Sequence, residues 1–254
     1  MTLVLTELSP LGIAMAADSA VTFINTQTGI AHAEPNLARK LQLIPYLNAG
    51  ISCWGIGEIS GLSTDRWIEN FINAQNQTTS LGDFANQLAE TLNVQLPLNQ
   101  TGRNRVGFHL AGYELYKGVA TPSFYHVHDG PSTTLSQRGI QVNPNQVNAN
   151  HDIPPDIFED AKARGVIPII RNGDYLLYAN IFGQLEEFFS QLRPSGIVIP
   201  NSHNLDDRAD YLVFQIRTVS EIYRLSNLIP GIGGMIYNLT INPAGISSQG
   251  IKYF

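Results

Sequence analysis

The N-terminal stretch constrains the fold of this chain most. Residues from Thr2 to Leu8 are mostly apolar or β-branched, and after Ser9-Pro10-Leu11-Gly12 the run Ile13-Ala14-Met15-Ala16-Ala17 is apolar without a break. A strand with one wet face alternates apolar and polar residues, and these two runs leave little for such a face. Proline and glycine between them suit a tight turn, so the segment reads as an antiparallel hairpin buried on both sides.

Further along, Val21 to His32 carries the polar turn Asn25-Thr26-Gln27-Thr28-Gly29, which marks a second hairpin or a protruding loop. Lys40 to Ile44 alternates with period two, and Ala49 to Trp54 forms the next strand. Ile59, Leu62, Trp67, Ile68, Phe71 and Ile72 then fall at helical spacing, and Phe84, Leu88, Leu92 and Val94 predict a second helix starting near Ser80. Strands return at Arg105 to Tyr113 and Ser123 to His128, while the Asn- and Pro-rich Asn143 to Pro155 reads as a surface loop. Helical spacing recurs at Ile157 to Ala163, Tyr178 to Leu192 and Asp206 to Leu228. Met235 to Ile241 and Ile246 to Phe254 close the chain as strands. This order lacks alternating β-α units and predicts layers built on antiparallel sheets. With 43% hydrophobic and 14% charged residues, no internal repeat and no second boundary, residues 1–254 read as one domain.

A net charge of -6 without any Lys/Arg-rich run argues against nucleic acid as a partner. No stretch approaches the ~20 apolar residues of a membrane span. The single cysteine, Cys53, allows no internal disulfide, and the start lacks the features of a secretory signal, so a cytoplasmic location is expected.

Chemistry is suggested by Met1-Thr2. Removal of the methionine would leave a residue that carries both a hydroxyl nucleophile and an α-amine, whose pKa of about 7.7–8.0 makes it a usable base near neutral pH. Asp18 follows the apolar run directly, and a carboxylate at the end of a buried strand needs a partner. Lys40, at the start of another strand, is the candidate. Such a lysine beside Thr2 would favour an anionic oxygen and an unprotonated amine, although a purely structural ion pair between strands fits the same residues.

Thr2, Ala16-Ala17-Asp18-Ser19, Ala38-Arg39-Lys40-Leu41 and Ser52-Cys53-Trp54-Gly55 resemble the proteasome β-subunit family, including its bacterial HslV-type and Anbu-type relatives. Phe108 to Tyr113, Phe124 to Val127 and the segment from Asp210 to Gly233-Gly234 extend the likeness. The resemblance implies an α+β, four-layer αββα sandwich of the Ntn-hydrolase type. It implies Thr2 as nucleophile and base, Asp18 and Lys40 as electrostatic support, and the Gly55 N–H as oxyanion donor. Thr22 matches a position that pairs with extended substrate, and Val21 and Cys53 match the wall of the specificity pocket. By the same resemblance the chain acts on peptide or unfolded-protein substrates without a cofactor, in a homo-oligomeric ring or spiral that an unfoldase could serve. A catalytically silent assembly subunit and an amidase of small molecules are the alternatives.

The chain also departs from the family pattern. Ala20 stands where an arginine is common, Ile229 or Pro230 replaces a late aspartate, and Asp174 falls where a serine supports the amine. Other candidates read as structural: Cys53 as a small buried side chain, His126 and His128 as strand residues without a metal-ligand pattern, and Gly231-Ile232-Gly233-Gly234 as a turn or close packing point. The pairs Glu186-Glu187 and Asp206-Asp207 read as solvated helix positions.

Overall fold

The structure, a computed structural model, describes residues 2–24, 27–28, 31–96, 106–130, 146–173, 175–200, 203–226, 229, 231–245 and 247–252. Strands β1 (Leu3–Ser9) and β2 (Gly12–Asp18) pair antiparallel from Val4↔Ala17 to Ser9↔Gly12 around the two-residue turn Pro10-Leu11. β3 (Val21–Ile24) and β4 (Ala31–Glu34) form a separate hairpin. Next come β5 (Leu41–Ile44), β6 (Ala49–Gly55), the two-residue strands β7 (Glu58–Ile59) and β8 (Leu62–Ser63), and helices α1 (Thr64–Ala74) and α2 (Leu81–Gln95). β9 (Val106–Tyr116), β10 (Val119–Asp129) and β11 (Val147–Ile153) precede α3 (Pro155–Ala163), β12 (Ile169–Gly173), α4 (Tyr175–Leu192) and α5 (Leu205–Leu225). β13 (Ile236–Ile241) and β14 (Ser247–Lys252) come last.

Two five-stranded antiparallel sheets result, in the orders β12-β1-β2-β13-β14 and β11-β10-β9-β6-β5. Every residue of β1 and β2 is buried, and alternation along them explains why. Leu3, Leu5, Ala14 and Ala16 pack against Leu212, Ile216 and Val219 of α5, while Val4, Leu8, Ile13, Met15 and Ala17 meet the second sheet through Trp54, Ala111 and Phe124. The other face of the second sheet is covered by α1 and α2, through Trp67, Phe71, Phe84 and Leu88 against Ile51, Phe108 and Leu110. The layers therefore run helix, sheet, sheet, helix. Sheet contact is close enough at Gly50 that a Cβ there would lie 2.5 Å from Met15 Sδ and 2.6 Å from Leu239 Cδ2.

Three elements differ from expectation. Ile59 and Leu62 belong to the small β7-β8 hairpin, so the first helix starts at Thr64. Val147–Ile153 is an edge strand on β10 rather than loop, because its polar side chains have polar partners: Asn150 Nδ2 lies 2.9 Å from His128 Nε2, and Asp152 lies 3.6 Å from His126. Ile169–Gly173 adds β12 beside β1, a strand too short and too half-buried to stand out by alternation.

Candidate active site

The end of β2 anchors the site. Asp18 is fully buried, and its carboxylate accepts hydrogen bonds from the backbone N–H groups of Leu3 (2.9 Å), Ala20 (3.2 Å) and Gly233 (3.3 Å), and from Lys40 Nζ (3.0 Å). Four donors on one carboxylate replace the water it has lost, which is what a buried anion requires. Lys40 Nζ also donates to the Ala20 carbonyl, and the Lys40 carbonyl accepts the N–H of Cys53 at 2.9 Å. The lysine is thereby fixed at both ends, by its backbone to β6 and by its ammonium to the loop after β2.

That loop is held from two sides. Gly233 O accepts the N–H groups of Ser19 and Ala20, and Ser19 O accepts those of Leu37 and Ala38. Asn36 Oδ1 takes the N–H of Met235 and lies 3.5 Å from the Ser19 hydroxyl. Gly231-Ile232-Gly233-Gly234, read from sequence as a turn or packing point, thus reaches the site through its backbone. Its φ angles of 148° at Gly233 and 76° at Gly234 favour glycine.

Thr2, Val21, Thr22, Lys40, Cys53 and Gly55 all line one cleft of about 560 Å³. Thr2 is buried, one residue ahead of the Leu3 amide that Asp18 holds. Its carbonyl packs so closely on β12 that a Cβ at Gly173 would fall 1.8 Å from it. Gly55 ends β6 with φ 92°, which turns exposed backbone along the cleft wall. Cys53 sits in that wall, and burial pushes its thiol up to about 12, against the opposing pull of the Lys40 charge. A thiol so protonated is a poor nucleophile.

Sequence reading brought these six residues and Asp18 together, and it missed the groups that fix them: Gly233, Asn36, Gly173 and the Ala20 carbonyl. Backbone donors carry no signature in residue type, so only the glycine pair hinted at the first. Asp174, proposed as amine support, lies outside the described residues, as does Pro230. Ile229 is partly exposed.

The remaining polar clusters pack within the fold, away from the cleft lined by Thr2. His126 and His128 stack at 4.0 Å, while His109 Nε2 donates to Asn172 Oδ1 at 2.7 Å and its Nδ1 accepts from the Thr6 hydroxyl at 2.9 Å. Burial lowers each of the three to about 3, keeping them neutral. Among the described residues no group of three or more His, Cys, Asp or Glu side chains could hold a metal ion. Ser123 Oγ lies 2.7 Å from both His151 Nε2 and Glu114 Oε2, but the carboxylate meets the same nitrogen as the hydroxyl, so this is no relay. Among the described residues no helix is long and apolar enough to cross a membrane.

No family model matches the sequence, and a search of curated proteins finds no match. Among solved structures the chain is similar to an Anbu (Gly-1) mutant from Hyphomicrobium sp. strain MC1, at 12% identity and a TM-score of 0.54, over 100% of this chain and 87% of that one. At that identity the likeness speaks for architecture alone: the chain shares with that protein an α+β fold, here two antiparallel sheets packed face to face between layers of helices.

Proposed function

We propose that the chain is an N-terminal threonine hydrolase of peptide or other amide bonds, with Thr2 as its nucleophile once Met1 is removed. The observation that carries the reading is the buried Lys40–Asp18 pair opening on the cleft that Thr2 and Gly55 line. In this reading Thr2 Oγ1 attacks the substrate carbonyl and its proton passes to the Thr2 amine. The Lys40 ammonium, held in place by Asp18, favours the anionic oxygen and the unprotonated amine. The Gly55 N–H stabilises the tetrahedral oxyanion, a contribution of about 10²–10³ in rate for one such donor. Collapse expels the amine product, protonated by the Thr2 ammonium, and leaves an ester that water then cleaves.

The proposed setting is a cytoplasmic homo-oligomeric ring or spiral acting on peptide or unfolded-protein substrates, with an unfoldase as its feeder. A second reading, a silent assembly subunit, draws on Ile229 or Pro230 standing where the resembled family carries an aspartate. Intact mass after incubation with a peptide epoxyketone separates the two. A hydrolase loses Met1 and gains one adduct that Thr2→Ala abolishes. Retained Met1, or no adduct on a processed chain, sinks the catalytic reading, and native mass spectrometry then reports whether assembly survives.

A further inference from the structure

The inner face of the second sheet carries a row of polar side chains in an otherwise apolar setting. Asn150, His126, His109 and Ser52 stand opposite one another across β11, β10, β9 and β6, all buried, beside Phe124 and Ala111 of the core between the sheets. His126 and His128 face Asp152 and Asn150 of β11, within their own sheet. Both nitrogens of His109 instead cross to the first sheet: Nδ1 accepts from the Thr6 hydroxyl of β1 at 2.9 Å, and Nε2 donates to Asn172 Oδ1 of β12 at 2.7 Å. That pattern corresponds to the neutral tautomer protonated on Nε2.

The two tethers differ in what else holds their strands. β1 lies between β12 and β2, so Thr6 belongs to a strand paired on both edges. β12 has five residues and sits at the edge of the sheet, paired with β1. Alternation along it turns Ile170 and Asn172 inward and Arg171 outward to Glu186 of α4, so Asn172 is the last inward side chain before Gly173. Gly173 stands opposite Leu3 and so near Thr2 that a Cβ on it would lie 1.8 Å from the Thr2 carbonyl oxygen. His109 is itself well fixed: β9 is the central strand of its sheet, and the buried ring meets Phe124 and His126 edge-on at centroid distances of 5.1 and 5.4 Å. An apolar side chain would fill the same space, but a hydrogen bond also sets direction and distance, which a short edge strand otherwise lacks.

We propose that His109 is a positioning residue for Thr2: from the central strand of the second sheet it holds the end of β12 through Asn172, and Gly173 in turn fixes the carbonyl of the nucleophile's own residue. The inference deepens the hydrolase reading and rests on it. His109 does not line the cleft. It acts by removing slack from a strand end that abuts the terminal residue, where a displacement of about 1 Å can cost about 10²-fold in rate.

Two near-isosteric variants separate the tethers, because a glutamine amide reaches about as far as Nε2 and an asparagine amide about as far as Nδ1. His109→Gln can keep the bond to Asn172, and His109→Asn can keep only the bond to Thr6. Each leaves one polar group unpaired, so their stabilities in urea should be similar. The limiting rate of adduct formation with a peptide epoxyketone should fall at least about 10-fold in His109→Asn and less than about 3-fold in His109→Gln, with the half-saturating probe concentration unchanged in both. Asn172→Leu, on the half-buried partner, removes the same bond should His109→Asn fail to fold, and it should reproduce the loss. Equal reactivity of the glutamine and asparagine variants, full reactivity of Asn172→Leu, or a change in half-saturation alone would overturn the inference and leave the hydrolase reading intact. If the wild-type protein forms no adduct, the hydrolase reading falls, and hydrogen exchange at residues 3–5 and 169–173 decides the rest. Faster exchange there in His109→Asn than in His109→Gln upholds the tether, and equal exchange overturns it.

Discussion

Lys40 Nζ lies 3.0 Å from Asp18 Oδ1 with side chains 6% and 0% exposed, so each charge depends on the other for the hydration it has lost. The two partners are not equivalent. Without Lys40, the carboxylate keeps three backbone donors; without the carboxylate, those three N–H groups lose this acceptor and the ammonium keeps only the Ala20 carbonyl. Asp18→Ala should therefore cost about 3–5 kcal/mol, and Lys40→Met less, at about 1–3 kcal/mol. Urea unfolding of both variants ranks them, and the reverse order would contradict the hydrogen-bond pattern. Both should lose epoxyketone reactivity by about 10²-fold or more, from the loss of a charge-stabilising group.

Gly173→Ala should damage the site more than the fold. The φ of 118° is strained for alanine at roughly 1–3 kcal/mol, and the new methyl would collide with the Thr2 carbonyl. The start of β1 must shift, and catalytic geometry tolerates little displacement. Adduct formation should fall at least about 10-fold with the circular dichroism spectrum unchanged; full reactivity would place Thr2 away from this contact.

Acid should destabilise the protein through its histidines. His109, His126 and His128 are held at about 3 when folded and return to about 6.5 when unfolded, so the unfolded chain binds more protons between those values. Their stability contribution is complete above about 6.5 and is lost as pH falls toward about 3. Glu7 works the other way: burial raises its carboxyl despite the Arg208 contact, so the folded state takes up a proton there first. Three histidines against one carboxylate predict a net fall. Chemical denaturation at pH 7, 6, 5 and 4 checks this, and flat stability would refute the burial of the cluster.

Cys53 should ignore alkylating reagents in the native protein and react fully after unfolding, since burial holds its thiol far above neutral pH. Mass after timed iodoacetamide treatment provides the reading. Rapid native labelling would reopen the cysteine as a nucleophile.

Much of the architecture was legible in sequence because burial dictates composition. β1 and β2 read as doubly buried from their unbroken apolar residues, and α2 announced its start at Ser80, whose hydroxyl accepts the N–H of Asp83. Thr2, Asp18, Lys40, Gly55, Val21, Thr22 and Cys53 could be named through a family resemblance. β11 and β12 could not be seen. Asn150 and Asp152 satisfy their polarity on side chains from β10, and pairing between distant segments leaves no local period.

Residue type and order by themselves determined that two apolar strands must lie inside, that helices must cover them, and that a threonine, an aspartate and a lysine were available. Tertiary structure alone decided that these meet: Leu3, Ala20 and Gly233 aim backbone donors at Asp18 from three separate segments. Side-chain chemistry is written in the sequence, whereas backbone hydrogen bonds are the same for every residue and acquire direction only when the chain is folded.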